Sequence, residues 1–133
     1  MSTTTNAALQ VGHRLVELCR DGRFEEAVRE LYADDAVSVE AMDGPHGRSI
    51  EGKPAILEMG EAWEKMHDVH SVAVEGPFPN GDGTAFICFM SIDVTAKEGP
   101  MAGQRMQMEE ACRYDLNREG KIAHCEFYYP PTC

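Results

Sequence analysis

Hydrophobic positions recur at a helical spacing in three segments of the first half of the chain. The first predicted helix runs from Ala8 to Cys19 and ends before Asp21-Gly22, and the second runs from Phe24 to Tyr32. A third begins at Pro54, a residue suited to a first helical turn, and continues to Met66. Each segment is apolar on one face only, which predicts three amphipathic helices packed on a shared core.

The second half of the chain alternates between apolar and polar residues, which is typical of strands. Val69 to Glu75, Arg105 to Leu116 and Lys121 to Tyr129 each carry one apolar face. Ala85 to Thr95 is apolar on both faces, as in a strand that is covered on both sides. Gly-rich and Asn-rich turns separate these runs, so we expect neighbouring strands to pair as antiparallel hairpins.

The order of these elements favours an α+β fold. Val37 to Ala41 is a short strand between the second and third helices, and the Gly-rich segment from Met42 to Gly52 is predicted to be a loop. Helices that precede antiparallel strands argue against a parallel α/β sheet. A curved sheet wrapped around three helices would enclose a cavity, which is a common place for a small-molecule site.

Composition excludes several kinds of partner. The chain has 133 residues, with 12 basic and 23 acidic side chains and a formal net charge of −11. This charge disfavours nucleic acid and anionic membrane surfaces as partners. No apolar run approaches the roughly 20 residues of a membrane helix.

The five cysteines indicate a reducing environment. They are odd in number, scattered, and without a Cys-x-x-Cys pair. Most fall at periodic apolar positions, where a free cysteine behaves as a small core residue. We therefore expect no disulfides and a cytoplasmic location.

Glu110 is the most informative residue for function. It lies on the predicted apolar face of the strand from Arg105 to Leu116, where it alternates with Met108 and Cys112. A carboxylate on a buried face is costly unless it is paired or protonated. Glu110 is therefore either a general acid/base whose pKa is raised by burial or a structural residue that is hydrogen-bonded to a neighbour.

Short motifs in a particular order resemble the SnoaL-like proteins of the nuclear transport factor 2-like superfamily. They are Leu31 to Ala36 before a strand, Glu51 to Ile56 at a helix start, and Gly120 to Ile122 between the last strands. The resemblance covers about residues 8–129 of a single domain, 1–133. It implies a cone of three helices packed in a curved, mainly antiparallel sheet, in a branch without an assigned activity. Polyketide cyclases, isomerases, dehydratases and non-catalytic binders share this fold, so the fold does not settle the activity.

The resemblance also suggests roles for carboxylates. Aligned on Asp34 to Ala36, Glu40 falls where ketosteroid isomerase has its base, whereas the positions of that enzyme's two oxyanion-hole donors fall near Leu15 and on Cys112. Neither is a good donor, so the resemblance does not support steroid isomerisation by that route. In SnoaL-like cyclases an acidic residue on a late strand acts as acid/base, and Glu110 could fill that role.

Two further candidates depend on which way their side chains point. Simple alternation places Glu40 on the outer face, opposite Val39, unless a bulge re-aims it. His70 alternates with Val72 along the strand and is expected on the same inner face, either as a core histidine or as a proton relay to Glu110.

The sequence predicts neither a metal nor a cofactor. His67 and His70 lack a third metal ligand, and no nucleotide or phosphate motif is present.

The remaining candidates are aromatic and sulfur-containing side chains that could line a pocket for a flat apolar ligand, with ordinary core packing as the alternative. They are Trp63, Tyr32, Met59, Met90, Met108, Cys112 and Tyr114.

The last strand also predicts an interface. His124, Glu126 and Tyr128 are expected on the outer sheet face, which in this superfamily often forms a homodimer.

Three hypotheses follow from these features. The first is a cofactor-free isomerase, cyclase or lyase that acts on a small apolar carbonyl compound, with Glu110, His70 and Glu40 as the catalytic candidates. The second is a binding module with the same pocket and no turnover. The third is a module whose sheet face serves dimerisation only.

Overall fold

The computed structural model describes residues 3–44 and 47–130, which form three helices and six strands. The helices are α1 (Thr3–Arg20), α2 (Phe24–Leu31) and α3 (Lys53–Met66). The strands are β1 (Tyr32–Gly44), β2 (Gly47–Glu51), β3 (His67–Pro79), β4 (Ala85–Ala96), β5 (Arg105–Leu116) and β6 (Ile122–Tyr128). The predicted α+β class, with three helices packed on a curved and mainly antiparallel sheet, is confirmed.

The strands form one mixed sheet in the order β2-β1-β6-β5-β4-β3. Of the five strand pairs in the described residues, β1 with β6 is parallel and the other four are antiparallel. The expected loop from Met42 to Gly52 is wrong in part, because Gly47–Glu51 pairs antiparallel with β1 as a sixth strand. This edge strand is short and mostly exposed, so it lacks the alternating apolar residues by which a sequence indicates a strand. Pro45 and His46, in the same segment, lie outside the described residues.

The core lies between the helices and the inner face of the sheet. Leu15 and Leu18 of α1, Phe86 of β4 and Ile122 of β6 are almost completely buried. Helix α1 approaches the sheet closely at Gly12, where an added Cβ atom would lie only 2.5 Å from the Pro77 Cβ atom and 3.3 Å from the Phe86 ring. The absence of a side chain at Gly12 therefore sets the distance between the helix layer and the sheet.

The cysteines of the described residues are buried thiols. Cys19, Cys88, Cys112 and Cys125 are free, and burial raises the pKa of each. Cys133 lies outside the described residues. The absence of disulfides from the chain and its cytoplasmic location both stay predictions.

The helices are too short or too polar for a bilayer. None in the described part of the chain has both the length and the apolar character that a membrane crossing requires.

Candidate functional site

A cavity of about 280 Å³ lies between the helices and the inner face of the sheet. Its walls are mainly apolar and aromatic, with a few carboxyl groups. Trp63 of α3 is held between the edge of Phe24, at a centroid distance of 6.3 Å, and the stacked ring of His67, at 4.4 Å. Tyr114 of β5 is held in turn by Phe86, whose ring stacks on it at 5.0 Å. The cavity is therefore walled by aromatic rings whose positions are fixed by packing.

Most of the expected ligand-binding residues line this cavity. They are Tyr32, Met59, Trp63, Met90, Met108 and Tyr114. Cys112 is completely buried and is not among the lining residues, but its Sγ atom donates to Glu110 Oε1 at 3.6 Å. The Tyr32 hydroxyl accepts a hydrogen bond from Cys125 Sγ at 3.6 Å. Six of the seven predicted residues therefore line one cavity. Their role in ligand binding stays a prediction.

Glu110 lies in the cavity wall on β5, where it pairs with Met90 of β4. The alternation predicted from the sequence holds here, since Cys112 and Tyr114 are buried and Glu109 and Arg113 are exposed. Burial raises the pKa of the Glu110 carboxyl to about 7, the negative charge of Glu40 adds to the rise, and the Cys112 hydrogen bond opposes it. Glu110 can therefore gain and lose a proton near neutral pH.

Glu40 also lines the cavity, so its predicted outward position is wrong. Ala36, Ser38 and Glu40 alternate onto the inner face of β1, where Ala36 and Ser38 are buried, whereas Val37 and Val39 are half-buried on the other face. The alternation is regular, but the inner face is the more polar of the two. Burial raises the pKa of Glu40, and a side-chain hydrogen bond with Tyr129 opposes the rise. Two carboxyl groups thus face one cavity, and the charge of Glu40 contributes to the raised pKa of Glu110.

His70 lies outside the cavity, so its predicted inner position is wrong. The pairing of β3 with β4 skips His70 between Val69 and Ser71, which marks a bulge. Val69 and Val72 are both half-buried on either side of this bulge, and the extra residue between them is exposed. The His70 ring instead contacts the Thr95 hydroxyl, with Nε2 2.7 Å from Oγ1.

Some lining residues escaped the sequence analysis. Ser38 is the polar or charged residue that the structure buries most fully among those it describes, with 7% of its surface exposed. Its sequence signal is its spacing of two from Glu40, which places both on one face of a strand. Phe24, Phe127 and Glu64 also line the cavity. For these, the contacts that form the wall come from elements distant in sequence.

The arrangement is suited to proton transfer in an apolar environment. Glu40 and Glu110 make no ion pair within residues 3–44 and 47–130. In the same ranges, no group of three His, Cys, Asp or Glu side chains could hold a metal ion. A carboxyl pair of this kind could remove a proton from one atom of a bound molecule and deliver one to another.

The outer sheet face carries the residues expected there. Tyr128 is exposed, and Glu126 and His124 pair across strands with Arg113 and Asp115. Asp115 accepts from Arg113 at 3.1 Å, and its Oδ2 atom lies 3.6 Å from His124 Nδ1.

Known structures share this architecture. A candidate SnoaL-like polyketide cyclase of Mesorhizobium loti is 35% identical, with 96% of this chain and 100% of that chain aligned at a TM-score of 0.80. A candidate isomerase of Bacillus subtilis is 17% identical over 98% of this chain and 91% of its own, at a TM-score of 0.74. A Mycobacterium tuberculosis protein in complex with estradiol-17β-hemisuccinate is 20% identical over 93% of this chain and 94% of its own, at a TM-score of 0.71.

Comparison of sequences gives two findings. No functionally curated protein matches the chain in sequence. The family model of the SnoaL-like domain matches residues 4–129, which is nearly the whole chain. The protein therefore belongs to the SnoaL-like domain family.

Proposed function

We propose that the cavity binds a small apolar carbonyl compound and that Glu40 and Glu110 exchange protons with it, without a cofactor. The observation that carries the proposal is the position of Glu110, a carboxyl group without a cationic partner in the described residues, in an apolar cavity beside a second carboxyl group. The estradiol derivative bound by the similarly folded mycobacterial protein combines a large apolar body with one free carboxyl group, and its apolar body is consistent with a cavity for a largely apolar molecule.

The two carboxyl groups would have different roles. The pKa of Glu110 is raised to about 7, so a large fraction of this carboxyl is protonated at neutral pH and could donate to a carbonyl oxygen. Burial raises the pKa of Glu40 and the hydrogen bond from Tyr129 opposes that rise, and the ionised form of Glu40 could remove a proton from the carbon next to the carbonyl. Trp63, Tyr32 and the methionines Met59, Met90 and Met108 would hold the apolar body of the substrate. His70 has no part in this proposal because it lies outside the cavity.

The proposal can be tested before the substrate is known. Small apolar ketones in D₂O should exchange their α-protons for deuterium faster with the wild-type protein than without it, as followed by NMR. Glu110→Gln and Glu40→Gln should each reduce this exchange by about 10²-fold or more, because a positioned acid or base contributes that much. Glu109→Gln is the matched control, since Glu109 is the exposed neighbour on the same strand.

The same experiment separates an enzyme from a binding module. Ketones that bind the wild-type protein by calorimetry but never exchange their α-protons would favour the non-catalytic alternative. Full exchange by Glu110→Gln would contradict the proposed role of Glu110.

A homodimer through the outer sheet face is the second part of the proposal. The sequence predicts that both faces of β4 are covered. On the outer face, however, Ile87 is 40% exposed and Phe89 is 50% exposed. Phe89 pairs across strands with Ala111, and Ala111 pairs with the exposed Tyr128, so these residues form a row across three strands. Phe78 extends the patch, with its ring centroid 5.9 Å from that of Phe89. A second copy related by a two-fold axis would cover this row with the same row.

Phe89→Glu tests the dimer. Light scattering coupled to size exclusion should give a dimer mass for the wild-type protein and a monomer mass for Phe89→Glu, because a charge at the centre of an apolar interface is costly to bury. Met101→Glu is the control, since Met101 is exposed to a similar extent, 47%, in the turn before β5. A monomeric wild-type protein would contradict the dimer.

A further inference from the structure

The opening of the cavity lies between α2 and α3. Most lining residues are buried or half-buried, and the exposed ones are Glu25 of α2 together with Gly60 and Glu61 of α3. Exposed residues that line an interior space mark the place where it meets solvent. A ligand that enters here must pass these two helices.

Three glutamates surround this opening, and we call Glu25, Glu61 and Glu64 the acidic rim. Glu25 pairs with Arg29 at 2.7 Å and Glu61 with Lys65 at 3.3 Å. Glu64 makes no ion pair in the described part of the chain and is half-buried next to Trp63. Burial raises the pKa of Glu64, and the charges of Glu25 and Glu61 raise it further. Glu64 is therefore the rim residue whose charge the protein compensates least.

The interior provides no positive charge either. Glu40 and Glu110 lie in the wall, and none of the side chains that line the cavity in the described residues is a lysine, arginine or histidine. An anionic group carried into this space would lose its hydration and meet only apolar atoms and carboxyl groups. Both effects oppose its entry, and the like-charge repulsion is stronger in an apolar cavity than in water.

We propose that the acidic rim restricts the cavity to ligands without an anionic group, with Glu64 as the main residue that sets this specificity. The inference rests on the proposed function and names the substrate class for the same cavity. The substrate then enters as a free, uncharged carbonyl compound. A carboxylate, a phosphate ester or a thioester of coenzyme A would be rejected at the opening.

Two probes of matched shape test the inference. Naphthalene-2-methanol and naphthalene-2-carboxylate have the same apolar body and differ in charge at neutral pH. By calorimetry in low salt, the alcohol should bind the wild-type protein at least about tenfold more tightly than the carboxylate. High salt should narrow this ratio, because the opening is solvated and its charges are screened.

Variants separate the effect of the acidic rim on binding from the cost of burying an anion in any apolar cavity. Any apolar cavity prefers the alcohol, so the decisive result is the change caused by Glu64→Gln. This variant should tighten binding of the carboxylate by about threefold to tenfold relative to binding of the alcohol, so that the ratio of the two affinities falls by that factor. Glu58→Gln is the matched control, because Glu58 is exposed on the same helix and does not line the cavity. It should change neither affinity.

The outcomes distinguish the inference from the proposed function. If the carboxylate binds the wild-type protein as tightly as the alcohol, or if Glu64→Gln leaves their ratio unchanged, the inference is overturned while the cavity stays a binding site. If neither probe binds the wild-type protein, the proposed function itself is contradicted.

Discussion

Glu110→Gln is expected to stabilise the protein by about 3 kcal/mol at pH 8 and by less than about 1 kcal/mol at pH 5. The pKa of this carboxyl rises from an ordinary 4.5 to about 7 on folding, chiefly because it is buried. The folded state therefore binds the proton more tightly than the unfolded state, and folding stability falls as pH rises from the lower value through the higher one. Gln is neutral at every pH, so the variant avoids this loss.

Urea denaturation at the two pH values measures this difference directly. Glu109→Gln, at the exposed neighbouring position, is the control and should change the free energy of unfolding by about 0.5 kcal/mol or less at both pH values. If the stability difference between Glu110→Gln and the wild-type protein is the same at pH 5 and pH 8, the Glu110 carboxyl is not destabilised by its surroundings. The acid/base role would then lose its basis.

Phe86→Ala is expected to destabilise the protein by about 3–5 kcal/mol, because it removes a large buried side chain and leaves a void. Phe86 is 1% exposed and its ring stacks on Tyr114, which lines the cavity. Close contacts such as that between Gly12 and Pro77 limit how far α1 can move in to fill the space. The change should therefore also loosen the wall of the cavity at Tyr114.

Chemical denaturation at neutral pH gives the measurement. Met101→Ala is the control, because Met101 is exposed in a turn and its loss should cost about 0.5 kcal/mol or less. A loss below about 1 kcal/mol in Phe86→Ala would show that the core rearranges around the missing ring, contrary to the close packing described above.

The position of Glu110 could be predicted because β5 pairs with β4 without interruption from Arg105 to Asp115. An unbroken ladder keeps the period of two, so the parity read from the sequence equals the face in the fold. The three helices could be predicted for a similar reason, since each has one continuous apolar face.

The positions of His70 and Glu40 could not be predicted from alternation. His70 lies at a bulge between Val69 and Ser71, and a bulge is set by pairing with a distant strand. Glu40 lies in a regularly alternating segment, but its outer face carries Val37 and Val39, so the apolar face read from the sequence is not the inner face of the fold. The alignment with the isomerase base, by contrast, singled out Glu40, which the structure places in the cavity wall.

The opening of the cavity and its charge depend on contacts between helices. Glu25 and Glu64 lie on different helices, and each has the sequence pattern of an ordinary solvent-exposed residue. Their proximity follows from the packing of α2 on α3, which brings Phe24 against Trp63. A sequence gives the apolar face of each helix but not the distance between the polar faces of two helices.

The pKa of Glu110 itself is the most direct test of the central claim. The claim is that a buried carboxyl group in the apolar cavity exchanges its proton near neutral pH. NMR with ¹³C-labelled glutamate, assigned through Glu110→Gln, would follow this one carboxyl from pH 4 to pH 9. We predict a midpoint at about 7 in the wild-type protein and a lower midpoint in Glu40→Gln, which removes a neighbouring negative charge. A midpoint at the ordinary 4.5 in both proteins would contradict the claim.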